Sequence, residues 1–136
     1  MSVLSSGLKR VLIVEDQSSD LRIAADLATS LGAEEVEART SASAAQLYLE
    51  SVVNSDAPLP DLLVVDLDLG YESGFELLRF WHGDSRLSRI PLLVWTCLGE
   101  EQLEICRLFK VNAVVRKSDG PSALKQAMEL HSRATS

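Results

Sequence analysis

The sequence is poor in the residues on which several classes of protein depend. It has only two cysteines, Cys97 and Cys106, nine positions apart, which excludes a disulfide-rich scaffold and a zinc site built from paired cysteines. No apolar run approaches the twenty residues that a membrane-spanning helix needs, and the N-terminus does not resemble a secretory signal peptide. We therefore expect a cytoplasmic protein with no membrane partner, in which both thiols are reduced and fill the core.

Basic residues are also scarce. Lysine and arginine together number 13 against 20 aspartates and glutamates, which gives a formal net charge of -7. Proteins that bind the phosphate backbone usually carry a basic stripe, so we expect no nucleic-acid partner. The acidic excess leaves room for a basic partner or a bound cation.

The remaining composition is that of an ordinary globular protein, with 46% hydrophobic and 24% charged residues. A chain of 136 residues is long enough to form one domain with its own core. We predict a flexible N-terminal lead over residues 1–8, followed by a single domain over residues 9–133.

Four short apolar segments and one more polar segment, at residues 35–38, alternate along the chain with five segments of helical periodicity. Continuous apolar runs are typical of strands that are buried on both faces. The alternation of strands and helices predicts an α/β domain with a parallel sheet that is covered on both faces. The five predicted strands lie at residues 11–14, 35–38, 62–65, 92–95 and 113–115.

Local residue preferences predict where some of the connecting elements begin and end. Ser18 or Ser19 is suited to cap the first helix, because a hydroxyl can accept a hydrogen bond from the free N–H groups of the first turn. Residues 70–74 contain two glycines and are predicted to form a simple connecting loop. Residues 98–110 are predicted to form the fourth helix.

Polar side chains follow four of the predicted strands. Glu15 and Asp16 follow the first strand, Asp66 the third, Thr96 the fourth and Lys117 the fifth. Ligands of open parallel sheets bind beside the carboxyl ends of the strands. We therefore expect these side chains to form one site.

The chemistry of this group of residues favours phosphoryl transfer. Three carboxylates in close proximity repel one another unless a cation offsets their charge. A donor set of carboxylates without histidine or cysteine suits a hard ion such as Mg²⁺. Lys117 adds a point charge suited to a phosphate oxygen, and Thr96 adds a hydroxyl donor. A carboxylate beside Mg²⁺, an ammonium and a hydroxyl has the environment required to accept a phosphoryl group.

The motifs that contain these residues resemble those of a response-regulator receiver domain over residues 9–132. Gly74, Thr96 and Lys117 follow Asp66 by eight, thirty and fifty-one positions, which is close to the spacing of that family. The motifs are Val-Glu-Asp at 14–16, Val-Asp-Leu-Asp-Leu at 65–69, Ser-Gly-Phe-Glu-Leu at 73–77, Trp-Thr-Cys at 95–97 and Arg-Lys-Ser at 116–118.

The resemblance implies a doubly wound, flavodoxin-like sheet of strand order 2-1-3-4-5 and a role for each site residue. Asp66 would be the phosphoacceptor. Mg²⁺ would be held by Glu15, Asp16, Asp66 and the backbone carbonyl of Asp68. The remaining two, Thr96 and Lys117, would contact the phosphoryl oxygens.

The implied function is that of a stand-alone signalling module rather than a separate turnover enzyme. A histidine kinase would supply the phosphoryl group, and a downstream protein would read it on the face of the fourth helix, the fifth strand and the fifth helix. The same face would support a homodimer. The Lys117-Ser118 pair and residues 84–91 are more similar to regulators paired with bacterial phytochromes than to chemotaxis receivers.

The chain departs from the family pattern at three positions. Gly70 stands where proline usually follows the phosphoacceptor loop, and Ser118 replaces a proline whose preceding peptide bond is normally cis. Val114 occupies the position at which an aromatic residue usually follows the movement of the threonine. We therefore treat Val114 as a degenerate switch position.

Several alternatives are open from the sequence alone. Glu15 with Asp66 and Asp68 also resembles a Toprim domain, and the Asp66-x-Asp68 pair resembles haloacid-dehalogenase phosphatases. A degenerate receiver that only binds partners is a third alternative. The Asp68 side chain is either a surface acid or a determinant of the lifetime of the phosphoryl group.

The fourth helix also has two interpretations. Its apolar residues are spread more widely than one stripe, as Ile105, Leu108 and Phe109 show. The helix is either buried with one irregular edge or part of a dimer or partner face.

Overall fold

The computed structural model describes residues 8–70, 72–97 and 99–133. The predicted N-terminal lead therefore lies outside the described residues, except for its last residue. Leu8 is buried with the core residues around Val11 and Ile13, so the packed part of the chain includes Leu8.

The chain forms seven strands, five α-helices and two 3₁₀ turns within the described ranges. The strands are β1 (Arg10–Val14), β2 (Glu35–Arg39), β3 (Leu62–Val65), β4 (Asp68–Leu69), β5 (Glu72–Ser73), β6 (Leu92–Thr96) and β7 (Ala113–Arg116). The helices are α1 (Ser18–Ser30), α2 (Ala42–Ser55), α3 (Phe75–Gly83), α4 (Glu100–Leu108) and α5 (Pro121–Arg133). The 3₁₀ turns are Leu87–Arg89 and Lys117–Asp119.

Five strands form one parallel sheet in the order β2-β1-β3-β6-β7. When the two short strands β4 and β5 are left out of the numbering, this is the predicted order 2-1-3-4-5, and the predicted fold is confirmed. The strand order reverses at β1, because the chain places β2 on one side of β1 and β3 on the other. Ligands bind at such switch points, beside the strand ends.

The core lies on both faces of the sheet because side chains alternate along each strand. Leu12 and Val14 of β1 point to the face covered by α2 and α3, together with Leu49 and Trp81. The opposite face is covered by α1 and α5. It contains Ile13 and the other residues of a second cluster, among them Val64, Ala24, Ala28, Leu124 and Met128. The central strands are thus buried on both sides, which explains their continuous apolar runs.

The structure corrects three local predictions. Residues 70–74 are not a simple loop, because β4 and β5 pair as a short antiparallel hairpin. The first helix begins at Ser18 after Gln17 as N-cap, whose N–H is bonded to the Glu15 carboxylate at 3.1 Å. The fourth helix is shorter than predicted and begins after Gly99.

The two cysteines differ in environment. Cys106 is buried, as predicted, but Cys97 is exposed, so the prediction that it fills the core was wrong. Cys97 directly follows the last residue of β6 and so lies beyond the covered part of the sheet.

None of the helices in the described ranges combines the length and apolar character needed to cross a membrane.

Candidate functional site

The carboxyl ends of the parallel strands bring the predicted site residues together. Glu15 and Asp16 follow β1, and Asp66 directly follows β3. Thr96 is the last residue of β6, and Lys117 directly follows β7. The strand register aligns these ends, since Val14 pairs with Val65 and Thr96 pairs with Arg116. A cavity of about 240 Å³ opens at this edge; its lining includes Asp16, Asp66, Asp68, Cys97 and Lys117.

Asp66 is buried, and both of its carboxylate oxygens accept hydrogen bonds. Oδ1 accepts from the Thr96 hydroxyl at 2.8 Å and from the Asp68 backbone N–H at 3.0 Å. Oδ2 accepts from the Lys117 ammonium at 2.9 Å. Donors from two other strand ends therefore fix the orientation of the carboxylate.

Lys117 contacts three carboxylates at once. Its Nζ lies 2.7 Å from Glu15 Oε1, 2.7 Å from Asp20 Oδ2 and 2.9 Å from Asp66 Oδ2. The same atom lies 5.1 Å from the centre of the Trp95 ring, within the range of a cation–π interaction. Its charge is therefore surrounded by acids and an aromatic face.

Burial and charge shift the pKa values of two of these groups. Burial acts to lower the pKa of the Lys117 ammonium, but the hydrogen bonds to three carboxylates outweigh it, and the net pKa lies above its ordinary value. Burial raises the pKa of the Glu15 carboxyl to about 7, against the opposing hydrogen bond from Lys117. The raised pKa means that the charged form of Glu15 is poorly compensated without a further cation.

The acids at this edge fit a hard cation. Glu15, Asp16 and Asp66 each offer a carboxylate oxygen, and these three atoms lie within 4.8 Å of one another. Asp16 Oδ1 is buried and finds no hydrogen-bond partner among the described residues. A buried carboxylate oxygen without a partner is costly unless a cation or water binds it. The donor set of oxygens alone matches Mg²⁺ or a similar ion.

Asp20 and Trp95 are two members of the site that the sequence analysis did not assign to it. Asp20 lies in the first turn of α1, four residues after Asp16, and Trp95 precedes Thr96 in β6. The four-residue spacing was the one available sign for Asp20, since it places an acid at the start of a helix that begins beside the site. Trp95 is buried.

The three departures from the family pattern have distinct local structures. Gly70 has a φ of +72° at the turn of the β4–β5 hairpin, a conformation that proline cannot adopt. The bond between Lys117 and Ser118 is trans, since the described residues contain no cis peptide bond. Val114 is half-buried and packs against the core on the side of α2 and α3.

Comparison with known proteins finds similar sequences among response regulators. The polar-differentiation response regulator DivK of Brucella ovis is 30% identical over 97 residues, which cover 69% of this chain and 73% of that protein. The same identity and coverage hold for DivK of Brucella abortus strain 2308. No family model matches the sequence.

Solved structures of response regulators have the same fold. The phosphorylated cyanobacterial phytochrome response regulator RcpA has a TM-score of 0.75 and 30% identity, over 90% of this chain and 89% of that chain. The bacteriophytochrome response regulator AtBRR has a TM-score of 0.72 and 29% identity, over 90% and 91%. The Mn²⁺-bound form of the response regulator Rcp1 has a TM-score of 0.74 and 25% identity, over 89% of each chain. These similarities do not favour the Toprim-like, haloacid-dehalogenase-like or degenerate alternatives.

Proposed function

The chain belongs to the response-regulator receiver family of two-component signalling, and from this premise we propose that Asp66 accepts a phosphoryl group from a histidine kinase. The observation that carries the proposal is the pair of contacts to Asp66, from Thr96 at Oδ1 and from Lys117 at Oδ2. Two donors on separate oxygens orient the carboxylate as a nucleophile.

In the proposed reaction, a carboxylate oxygen of Asp66 attacks the phosphorus of a phosphohistidine. An oxygen–phosphorus bond forms, the nitrogen–phosphorus bond breaks, and the imidazole leaves with the bonding electron pair. Thr96 and Lys117 donate hydrogen bonds to the transferred group, because their donors already lie at the carboxylate that receives it. A small acyl phosphate can replace the kinase as donor, in which case the acyl carboxylate leaves.

We assign the divalent cation, most simply Mg²⁺, to Glu15, Asp16, Asp66 and the backbone carbonyl of Asp68. The partnerless Asp16 Oδ1 and the raised pKa of Glu15 support this assignment. When bound, the cation would neutralise the carboxylates and the charge on the phosphoryl oxygens. The solved structure of Rcp1 is of a Mn²⁺-bound form, which is consistent with a divalent ion in this fold.

The phosphorylated state would be read on the face formed by α4, β7 and α5. Thr96 and Lys117 both lie beside this face, at the ends of β6 and β7. Arg116 of β7 forms an ion pair with Glu100 of α4. A movement of the end of β7 would therefore change the position of α4. Position 114 carries valine where the family usually has an aromatic residue. We propose that the Arg116–Glu100 ion pair takes the place of that residue in coupling the site to the face.

We propose that a cytoplasmic histidine kinase donates the phosphoryl group. The downstream partner would be a protein that contacts the α4–β7–α5 face. The acidic net charge of -7 makes nucleic acid an unfavourable partner. We further propose that residues 9–133 act as one receiver domain, although Leu8 packs with it.

Intact-mass spectrometry after incubation with acetyl phosphate and Mg²⁺ tests the proposed reaction. We expect one phosphoryl adduct in the wild type, none in Asp66→Asn, and an unchanged adduct in Asp26→Asn, which removes an exposed acid from α1. An adduct that persists in Asp66→Asn would contradict the assignment of the acceptor. The absence of any adduct in the wild type would favour a degenerate receiver that acts only by binding.

A further inference from the structure

The ammonium of Lys117 has one partner that the proposed reaction does not use. It is bonded to Asp66 and paired with Glu15, which are the proposed phosphoacceptor and a proposed metal ligand. Its third partner is Asp20, whose Oδ2 lies 2.7 Å away. Asp20 belongs to α1 and does not belong to the cluster of three acids that could hold a metal ion.

The ammonium therefore donates hydrogen bonds to Asp20 and Asp66 and has Glu15 at ion-pair distance, so that carboxylates surround it in this state of the protein. An ammonium has three donors, and three carboxylates lie within 2.9 Å of Nζ. A phosphoryl oxygen can be bound only if one carboxylate gives up its contact. Asp66 and Glu15 are the two whose oxygens the phosphoryl group and the cation would occupy, which leaves Asp20 as the constant partner.

The other surroundings of Lys117 cannot take over this role. The Trp95 ring lies 5.1 Å from Nζ and attracts the charge without fixing the direction of its hydrogens. The lysine side chain is only 11% exposed, so water does not surround it on most sides. A carboxylate at hydrogen-bond distance is the group that can hold the ammonium in one orientation.

We propose that Asp20 is a positioning residue, which keeps the Lys117 ammonium in place while Asp66 and Glu15 engage the phosphoryl group and the cation. The inference rests on the proposed function, because it concerns the same reaction. The hydrogen bond that the Asp20 carboxylate accepts comes from Lys117, not from a group on the acceptor carboxylate. The contribution of Asp20 to the reaction is made through Lys117.

Single-turnover phosphorylation by acetyl phosphate, followed by intact mass, tests this role. Asparagine keeps an acceptor oxygen at this position but removes the negative charge, and the weaker contact to a buried ammonium is enough to change a rate by about tenfold. We expect Asp20→Asn to lower the phosphorylation rate at saturating Mg²⁺ by about that factor. We expect Asp26→Asn, which makes the same charge change on the exposed side of α1, to leave the rate unchanged.

Two further measurements separate positioning from a merely structural effect. The affinity for beryllofluoride, a phosphoryl mimic, should fall in Asp20→Asn by a factor similar to the change in rate, while the affinity for Mg²⁺ changes much less. Asp20→Glu, which retains the carboxylate, should restore most of the rate. If Asp20→Asn is less thermally stable than Asp26→Asn, rates are compared at a temperature at which both are folded.

The outcomes distinguish this inference from the proposed function. A wild type that forms no adduct contradicts the proposed function itself. A wild type that is phosphorylated, together with an Asp20→Asn variant that matches Asp26→Asn in rate and beryllofluoride affinity, overturns the role of Asp20. A parallel loss of Mg²⁺ affinity of the same size also overturns it, because Asp20 would then act on the cation.

Discussion

Gly74 packs directly against the backbone of Asp66. A Cβ atom at Gly74 would lie 2.5 Å from the Asp66 carbonyl oxygen and 2.9 Å from the Cα of Leu67, both of them backbone atoms that cannot move aside cheaply. The backbone N–H of Gly74 also donates a hydrogen bond to the Leu67 carbonyl at 3.0 Å. The glycine thus brings the start of α3 close to the residue that we assign as phosphoacceptor.

Replacement of Gly74 by alanine should therefore destabilise the protein. Overpacking of this kind costs about 1–3 kcal/mol, and the shift of the backbone at Asp66 should also slow phosphorylation. Urea unfolding monitored by circular dichroism gives the free energy of unfolding. Gly83→Ala is the matched control, because nothing lies within 4 Å of its Cβ position, and it should be neutral or stabilising.

Much of the fold and site could be predicted because the physical rules involved act on short stretches of sequence. Buried parallel strands require continuous apolar runs, and the chain must place polar groups where those runs stop. This is why the sequence alone identifies Asp66 after β3 and Thr96 at the end of β6. The spacing of the strands then implied that their ends meet at one edge.

The parts that could not be predicted depend on contacts between distant segments. Asp20 reads as a favourable first-turn acid of a helix, and only the path of β7 reveals that Lys117 reaches it across 97 positions. The β4–β5 hairpin has only two residues in each strand, too few for an alternation to be visible. Gln17 is the N-cap because its carbonyl accepts the first helical hydrogen bond, from the Leu21 N–H at 2.9 Å, and no serine hydroxyl caps this helix.

The raised pKa of Glu15 predicts how the stability of the metal-free protein changes with pH. The folded-state pKa, about 7, lies above the ordinary value of 4.5, with burial as the main cause. The contribution of Glu15 to stability is therefore fully present below pH 4.5 and is lost as the pH rises through 7. The pKa of Lys117 is raised further above this window, so its charge stays constant across it.

We expect Glu15→Gln to remove this pH-dependent decrease in the free energy of unfolding. In EDTA, the free energy of unfolding of the variant relative to the wild type should increase between pH 5 and pH 8, by about 2 kcal/mol. Urea unfolding at several pH values measures the difference, in which the titration of all other acids cancels. Equal pH dependence in the two proteins would contradict the raised pKa.

Asp16 should be required for binding of the divalent cation. Its Oδ1 is buried without a hydrogen-bond partner in the described residues, and removal of the negative charge takes away one of three clustered carboxylates. We expect Asp16→Asn to weaken Mg²⁺ binding by at least about tenfold, measured by isothermal titration calorimetry. The control Asp26→Asn should bind as the wild type does; equal affinity in Asp16→Asn would remove this residue from the metal site.

The exposed apolar residues of α4 predict weak self-association. Leu108 is 76% exposed and Ile105 is 41% exposed, whereas Cys106 and Leu103 of the same helix are buried, so the wide apolar spread of this helix is divided between core and surface. A dimer contact formed mainly by two exposed side chains of one helix is small, so we expect weak, transient association. Sedimentation velocity over a concentration series, with and without beryllofluoride, should reveal dimers at high concentration.

Replacement of Leu108 by serine should weaken the dimer, because the variant loses the free energy gained when the leucine side chain is buried in the contact. Full burial of a leucine contributes about 1.5–3 kcal/mol, which is the upper limit of the expected effect. Leu47→Ser provides the matched control. Leu47 is 67% exposed on α2, a helix outside the α4–β7–α5 face, and its replacement should leave the association unchanged. A wild type that sediments as a monomer at all concentrations, in both states, would refute the dimer, and equal effects of the two substitutions would assign the contact to a different surface.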